Sequence, residues 1–238
     1  MSIKGEQRIL DTRQWLAKQE KMIPKTKDEK FRRILYVTMM DSFAQNFSNY
    51  SKNSNQKQFA EFVCKYGLNR WQFLNEICPV TLFNYYADKY PISINLFQSR
   101  VYTAENIEVK NEAKRLEDVL LAYGETPDKL KKHTYANLVY AMRNKLVHEL
   151  NLPGAPFDIR DDKENPIPNI LQEVRVKSFE EKAMKDAITT WHLHIPELFL
   201  GCLLHETATN YIDECSQNCI EPFVNNDYNR MFFKAWYD

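Results

Sequence analysis

Three polar side chains that could carry out acid–base chemistry on a phosphate lie close together in the segment RNKLVHE. They are Arg143, Asn144 and His148. A histidine can take up or release a proton near neutral pH. A guanidinium can donate two parallel N–H groups to phosphoryl oxygens, and an amide can both donate and accept. Together these groups suit cleavage of a phosphodiester, although an arginine and a histidine are also common on ordinary helix surfaces.

The element that must position these groups is the clearest predicted helix of the chain, over residues 134–151. Its apolar side chains recur at three- and four-residue spacing, at Leu138, Val139, Met142, Leu146 and Leu150. Asn144 and His148 are four residues apart and share one helix face, and Arg143 lies on an adjacent face. Polar groups that interrupt an otherwise apolar helix tend to occur at functional or strained sites.

The pattern Arg143-Asn144, three variable residues and His148 resembles the signature of the HEPN superfamily. Members of that superfamily are helical domains, and many are RNA-cleaving toxins or phage-defence nucleases. The resemblance covers roughly residues 30–150. It implies a metal-independent endoribonuclease without a cofactor, in which the 2′-OH of single-stranded RNA attacks the adjacent phosphorus and leaves a cyclic phosphate. Arg143, Asn144 and His148 would be its catalytic residues.

The resemblance also implies an assembly and a context. One chain supplies only one motif histidine, so two motif helices would meet across a two-fold axis in a homodimer with a composite active site. A role in toxin–antitoxin systems or antiphage defence, with an antitoxin or a defence protein as partner, is implied in the same way. Two other functions remain open. One is a catalytically inactive HEPN module that binds RNA, a nucleotide or a protein, and the other is a purely structural helical protein.

Basic side chains near the motif are candidates for RNA contacts. Lys132 and His133 precede the motif helix, beside Lys129 and Lys131, and Lys145 lies inside the motif. These residues could bind RNA phosphates, or they could form a solvated basic helix end. Nearby aromatic residues could stack on bases, but their density favours the core for Phe83, Tyr85, Tyr86, Tyr90, Phe97 and Tyr102.

The charge of the chain is balanced overall but unevenly placed. Lys plus Arg and Asp plus Glu each number 32 among 238 residues, whereas a nucleic-acid binder is usually basic. Residues 1–33 hold ten basic and five acidic residues, and residues 196–238 hold two basic and seven acidic residues. Such a split can produce a local basic face on a neutral protein.

Cysteine usage and hydropathy predict a cytoplasmic protein with free thiols. Five cysteines with irregular spacing do not form a disulfide framework, and no stretch approaches 18 uncharged apolar residues. No metal site is predicted, because the residues with a zinc-like composition fall in an apolar helix, where they are usually core: Cys202, His205, Cys215 and Cys219. His192 and His194 alternate on a predicted strand and are expected to be partly exposed.

Hydrophobic periodicity predicts an all-α bundle with a small two-stranded β element near the C-terminal third, and the HEPN resemblance implies that this bundle is HEPN-like. Helices are expected over residues 6–21, 28–47, 105–123 and 134–151 and from Pro196 onward, with a loop over 48–58. Strands are expected at 171–177 and 189–195, with a helical turn near 179–187 between them. The chain 1–238 is expected to be a single domain, with a helical core at about 28–151 and the loop, β-hairpin and C-terminal helix over 152–238. It contains no Gly-rich phosphate loop and no G-x-S-x-G elbow, so nucleotide hydrolysis and esterase chemistry lack support.

Overall fold

The protein is described by a computed structural model that covers residues 3–47, 55–96, 101–148, 170–177 and 188–222. The helices are α1 Ile3–Met22, α2 Glu29–Phe47, α3 Asn55–Gly67, α4 Pro79–Tyr86, α5 Ile107–Ala122, α6 Pro127–Leu130, α7 Tyr135–His148 and α8 Glu197–Gln217. The strands are β1 Val101–Thr103, β2 Leu171–Lys177 and β3 Ile188–His194. This architecture confirms the prediction of an all-α fold with a small β element.

The chain divides into two compact units by its internal contacts. One unit comprises residues 1–70 and 201–238, and the other comprises residues 71–200. Compact units of this kind can belong to one domain, so the single domain 1–238 stays a prediction. The motif helix α7 and all the candidate RNA-binding residues belong to the second unit.

Helix α2 of the first unit begins where the sequence predicts, because Asp28 caps it. The Asp28 carboxylate accepts hydrogen bonds from the backbone N–H groups of Lys30 at 2.8 Å and Phe31 at 3.2 Å. The core of this unit is aromatic. Phe62 stacks parallel to Phe43 with ring centroids 6.4 Å apart and packs against Tyr66 at 5.2 Å. Aromatic pairs of this kind contribute about 0.5–1.5 kcal/mol each beyond the area that they bury.

The uneven charge of the sequence is used for ion pairs inside the first unit. Arg13 on α1 pairs with Asp213 on α8 at 2.6 Å, and Arg8 pairs with Glu221. Arg33 is only 4% exposed and bonds to Glu29. At these positions the basic N-terminal segment therefore binds nearby carboxylates.

The second unit contains a three-stranded antiparallel sheet in the order β1-β2-β3. The predicted β2–β3 pairing is confirmed, with Leu171 opposite His194 and Lys177 opposite Ile188. Strand β1 adds three residues that alternation could not identify. The expectation for His194 is wrong, since it is 2% exposed, and helix α4 contacts β3. The predicted helical turn at 179–187 lies outside the described residues.

One predicted loop is partly helical, and a proline begins a helix. Residues 55–58, expected in a loop, form the first turn of α3, where Gln and Lys are good helix formers. Pro79 starts α4, because the first turn of a helix does not need the N–H that proline lacks. Helix α5 ends as predicted before Gly124, whose φ of 88° suits glycine. Helices α4 and α5 then pack around a buried cluster of Leu82, Tyr86, Leu116, Leu120 and Leu130.

The first turn of α7 is tied to the segment that precedes α4. The N–H of Tyr135 donates to the carbonyl of Glu76 at 3.1 Å, and the N–H of Cys78 donates to the carbonyl of His133 at 2.9 Å. The Tyr135 side chain is 1% exposed and meets Phe73 edge to face at 5.3 Å. One end of the motif helix is therefore fixed by both backbone and side-chain contacts.

The cysteines are free thiols, as the sequence predicts. All five cysteines fall among the described residues as free thiols, with Cys78 and Cys215 buried. Within the described ranges, none of the helices combines the length and hydrophobicity that crossing a membrane requires.

Candidate functional site

The buried stripe of α7 decides how its polar residues are presented. Val139, Met142 and Leu146 are at most 3% exposed, as the predicted apolar face requires. With about 3.6 residues per turn, His148 lies nearly opposite Val139, and its side chain is exposed. Arg143 lies at the edge of the stripe and is half-buried. Packing of one helix face thus leaves the imidazole at the surface while it partly encloses the guanidinium.

Arg143 brings the predicted catalytic side chains together. Its Nη1 lies 3.0 Å from Asn144 Oδ1 and 3.4 Å from His148 Nε2. A guanidinium has only donors, so the Asn144 oxygen accepts a hydrogen bond from it, and His148 Nε2 can do the same wherever that nitrogen carries a lone pair. Asn144 and His148 share a helix face, and the longer Arg143 side chain contacts both of them.

Tyr140 is a further member of the site that the sequence analysis did not single out. The Arg143 guanidinium carbon lies 5.9 Å from the centroid of the Tyr140 ring, and Tyr140 is 9% exposed. A cation over an aromatic face at this range gains about 0.5–1 kcal/mol when exposed and more when water is excluded. Tyr140 and Arg143 are three residues apart, so their side chains lie on neighbouring turns of the helix. This spacing is the sequence signal from which their contact could have been predicted.

The predicted RNA-binding residues fall into two groups. Lys145 is exposed on α7, but it is two residues from Arg143 and therefore points to a different side of the helix. Lys132 and His133 precede the first turn of α7, so with a rise of about 1.5 Å per residue they lie roughly 20 Å from His148 along the helix axis. Lys132 and His133 are therefore too far along the helix to contact the same phosphate as the motif.

The surroundings of His133 do not suit the positively charged RNA contact that is expected from the sequence. Its ring contacts both Tyr85, with centroids 5.1 Å apart, and Tyr86, at 5.8 Å. Burial, and to a lesser degree the neighbouring charge of Lys132, lower the pKa of His133. The imidazole is therefore neutral at pH 7 and contributes an aromatic surface instead of a positive charge.

The rest of the basic cluster is partly compensated by acidic neighbours. Lys129 pairs with Glu125 at 3.0 Å, and Lys131 pairs with Asp128 at 3.6 Å. The side chains of both lysines nonetheless stay more than half exposed. Lys132 is also exposed, so it is the most direct candidate for a phosphate contact in this cluster.

The cysteines do not provide a competing site. Among the residues that the structure describes, no three His, Cys, Asp or Glu side chains come together as metal ligands. Burial raises the pKa of the Cys64 thiol to about 11 and also raises the pKa of Cys202. A thiol with a raised pKa is a poor nucleophile at neutral pH.

The chain was compared with known proteins at three levels. No family model matches it, and neither a curated protein nor a solved structure matches it. The interpretation of α7 therefore depends on the types, spacing and contacts of its own side chains.

Proposed function

We propose that the protein is a metal-independent endoribonuclease of the HEPN type, which cleaves single-stranded RNA with Arg143, Asn144 and His148. The supporting observation is the pair of contacts from Arg143 Nη1 to Asn144 Oδ1 at 3.0 Å and to His148 Nε2 at 3.4 Å. An exposed imidazole held beside a guanidinium has both the proton acceptor and the cation that this reaction needs.

The proposed reaction needs only the RNA and side chains of the protein, without a metal ion or cofactor. One imidazole takes the proton of a ribose 2′-OH, and the 2′ oxygen attacks the adjacent phosphorus. The bond from phosphorus to the 5′ oxygen breaks, and an acid gives that oxygen a proton. The products are a 2′,3′-cyclic phosphate and a free 5′-OH. Arg143 stabilises the charge that grows on the phosphoryl oxygens, and Asn144 holds the guanidinium in place.

The reaction needs a base and an acid, and each chain contributes one motif histidine. We therefore propose a homodimer in which two copies of α7 approach each other and His148 of each copy serves one of the two roles. The exposed position of His148, opposite the buried stripe of α7, is compatible with such an approach. A two-fold axis would give both chains the same contacts.

The decisive experiment measures cleavage of a single-stranded RNA in EDTA. The wild type is expected to cleave and to leave cyclic phosphate ends, and His148→Ala is expected to lower kcat by about 10²–10⁴-fold. His205→Ala is the matched control, because His205 is also an exposed imidazole and binds Glu20 at 2.8 Å in the other unit. That variant should retain wild-type activity.

Three outcomes of this experiment would count against the proposal. Equal activity of His148→Ala and wild type would remove His148 from the mechanism. Activity that requires a divalent cation would replace the proposed chemistry. RNA binding without cleavage by the wild type would favour the inactive HEPN module in place of the nuclease.

The composite site has its own test in subunit exchange. When equal amounts of wild type and His148→Ala exchange subunits, a site that needs both histidines should keep about a quarter of the wild-type activity, whereas independent sites should keep about half. Light scattering on the same samples measures the mass. A strict monomer with full activity would contradict the two-chain site.

A role in toxin–antitoxin or antiphage defence is part of the proposal and follows from the HEPN resemblance. Its test is growth after induced expression in bacteria. The wild type is expected to arrest growth, and His148→Ala at the same protein level is expected to leave it unchanged. Equal growth arrest by both proteins would show that toxicity does not come from RNA cleavage.

A further inference from the structure

A continuous row of aromatic rings lies beside the first turn of α7, at the opposite end from the motif. We call it the tyrosine face, and it consists of Tyr85, Tyr86, Tyr90, Tyr123 and His133. Tyr90 stacks on Tyr123 at 4.8 Å with an interplanar angle of 11°. Tyr86 lies 6.0 Å from Tyr90 and 4.8 Å from Tyr85, which in turn contacts His133.

The two ends of the tyrosine face are open to solvent. Tyr85 is 69% exposed and Tyr123 is 46% exposed, whereas Tyr86 between them is 2% exposed. Among the residues whose side-chain exposure the structure describes, Phe31 is the one further exposed large aromatic. The buried Tyr86 fixes the row, so the exposed rings are held in place without being covered. Exposed aromatics on a fixed support are surfaces on which planar groups can stack.

Lysines surround these rings and give the surface its charge. Lys89 Nζ lies 4.7 Å from the centroid of the Tyr90 ring, and its side chain is 58% exposed. Glu125 accepts hydrogen bonds from Lys89, Tyr90 and Lys129, and its own side chain is 2% exposed. The carboxylate is thus enclosed, while both lysine side chains stay more than half exposed. Lys132 adds another exposed cation beside His133.

The geometry points to a stacking site for single-stranded RNA on the tyrosine face, with bases on the Tyr85 ring and on the Tyr90–Tyr123 pair and phosphates on Lys89 and Lys132. The ligand must combine flat aromatic groups with negative charge, and a single-stranded nucleic acid does so at every residue. The choice of RNA as the occupant rests on the proposed nuclease function.

The site is a binding site and is distinct from the catalytic motif. Its residues near His133 lie roughly 20 Å along the α7 axis from His148, so no base stacked there can touch the scissile phosphate. Loss of a stacking ring should therefore weaken binding equally in the ground state and the transition state. For an RNA long enough to contact both places, KM should rise and kcat should not change.

The test uses full-length protein carrying His148→Ala, which prevents cleavage, and a fluorescent twelve-nucleotide oligouridine whose anisotropy reports binding. Adding Tyr85→Ala should weaken binding between about fivefold and a hundredfold, the loss that removal of one stacking ring causes. Tyr85→Phe keeps the ring and should bind within about twofold of the parent. Phe31→Ala removes the exposed aromatic of the other unit and should change nothing.

Each other result overturns the inference. Equal binding by the parent and by Tyr85→Ala would remove Tyr85 from the RNA site, as would equal losses in Tyr85→Ala and Phe31→Ala. An absence of oligouridine binding by the parent would reject the tyrosine face as an RNA surface. The nuclease proposal fails separately. If oligouridine binding depends on Tyr85 but the wild type does not cleave RNA, the stacking site is supported and the nuclease proposal fails. If the wild type cleaves RNA but binding does not depend on Tyr85, the nuclease proposal is supported and the stacking site fails.

Discussion

At its first turn α7 presents Tyr135, which is 1% exposed and bound through its N–H to Glu76. At its last turns the same helix presents Arg143, Asn144 and His148. The Arg143 side chain contacts the other two side chains. One end is held by other elements of its unit, and the other end holds a polar cluster close to the surface. The comparison teaches that one helix can place the residues that fix its position at one end and a polar cluster at the other.

The largest effect on stability should come from the fixed end. Tyr135→Ala is expected to lower the free energy of unfolding by about 3–5 kcal/mol, because it empties a fully buried ring site against Phe73. Asn144→Ala, at the other end, should stay within about 0.5 kcal/mol of wild type. Urea unfolding followed by circular dichroism measures both. Similar losses in the two variants would show that the ends do not differ as described.

The largest effect on activity should come from the polar end. Arg143→Lys keeps the charge but loses the forked donors, and kcat is expected to fall by about 10²–10³-fold, as after removal of a transition-state donor. Stability should change little. Arg13→Lys is the matched control, since Arg13 is an exposed arginine paired with Asp213. Single-turnover cleavage measures the rates, and a change below about twofold in Arg143→Lys would argue against a bidentate role.

A smaller, pH-dependent effect is expected beside the fixed end. Hydrogen bonds from Lys89, Tyr90 and Lys129 hold the pKa of Glu125 at about 2, below its ordinary value of 4.5. A lowered carboxyl pKa stabilises the folded state above the unfolded value, and the gain is lost as the pH falls from about 4.5 toward 2. Glu125→Gln should therefore be less stable than wild type at pH 7, by less than Tyr135→Ala.

The sign of this effect is checked by urea unfolding at pH 7, 4 and 2.5. The difference between Glu125→Gln and wild type should shrink as the pH falls. Asp118→Asn provides the control, because Asp118 is 60% exposed in its pair with Lys114. A difference that is constant across the three pH values would mean that the carboxylate charge of Glu125 does not stabilise the fold.

The smallest effect concerns the charge near the tyrosine face. Lys132→Ala should weaken RNA binding a few-fold and reduce the slope of log affinity against log salt by about 1, since it removes one phosphate contact. Lys114→Ala serves as the control, because Lys114 is also exposed but pairs with Glu117 and Asp118. An unchanged salt slope in Lys132→Ala would exclude Lys132 from the RNA path.

The elements with strong periodicity were predictable from sequence. The apolar spacing of Val139, Met142 and Leu146 identifies α7 and its buried face, and alternation identifies the β2–β3 hairpin. Strand β1 has only three residues, which is too short for alternation to be distinct. Its pairing depends on β2, some 70 residues later in the chain, and no local pattern encodes such a contact.

The candidate site was predictable in its residues and only partly in its contacts. The motif identifies Arg143, Asn144 and His148, but the sequence gives no sign that the guanidinium would contact both of the others. The tyrosine face was less accessible still. Tyr85 and His133 are 48 residues apart in the chain, and they meet because the segment before α4 pairs with the residues before α7. The density of aromatic residues therefore predicts that Tyr85 belongs to the core, whereas its ring is largely exposed.

The first unit takes its two parts from distant stretches of the chain, residues 1–70 and 201–238. On the ribosome, α1 to α3 must wait for the residues of α8, whereas residues 71–200 are made without interruption. At about 5–20 residues per second, the intervening 130 residues take roughly 6 to 26 seconds to synthesise. During that interval the rings of Phe43 and Phe62 lack Tyr211, so the nascent protein exposes an aromatic surface that a chaperone could bind.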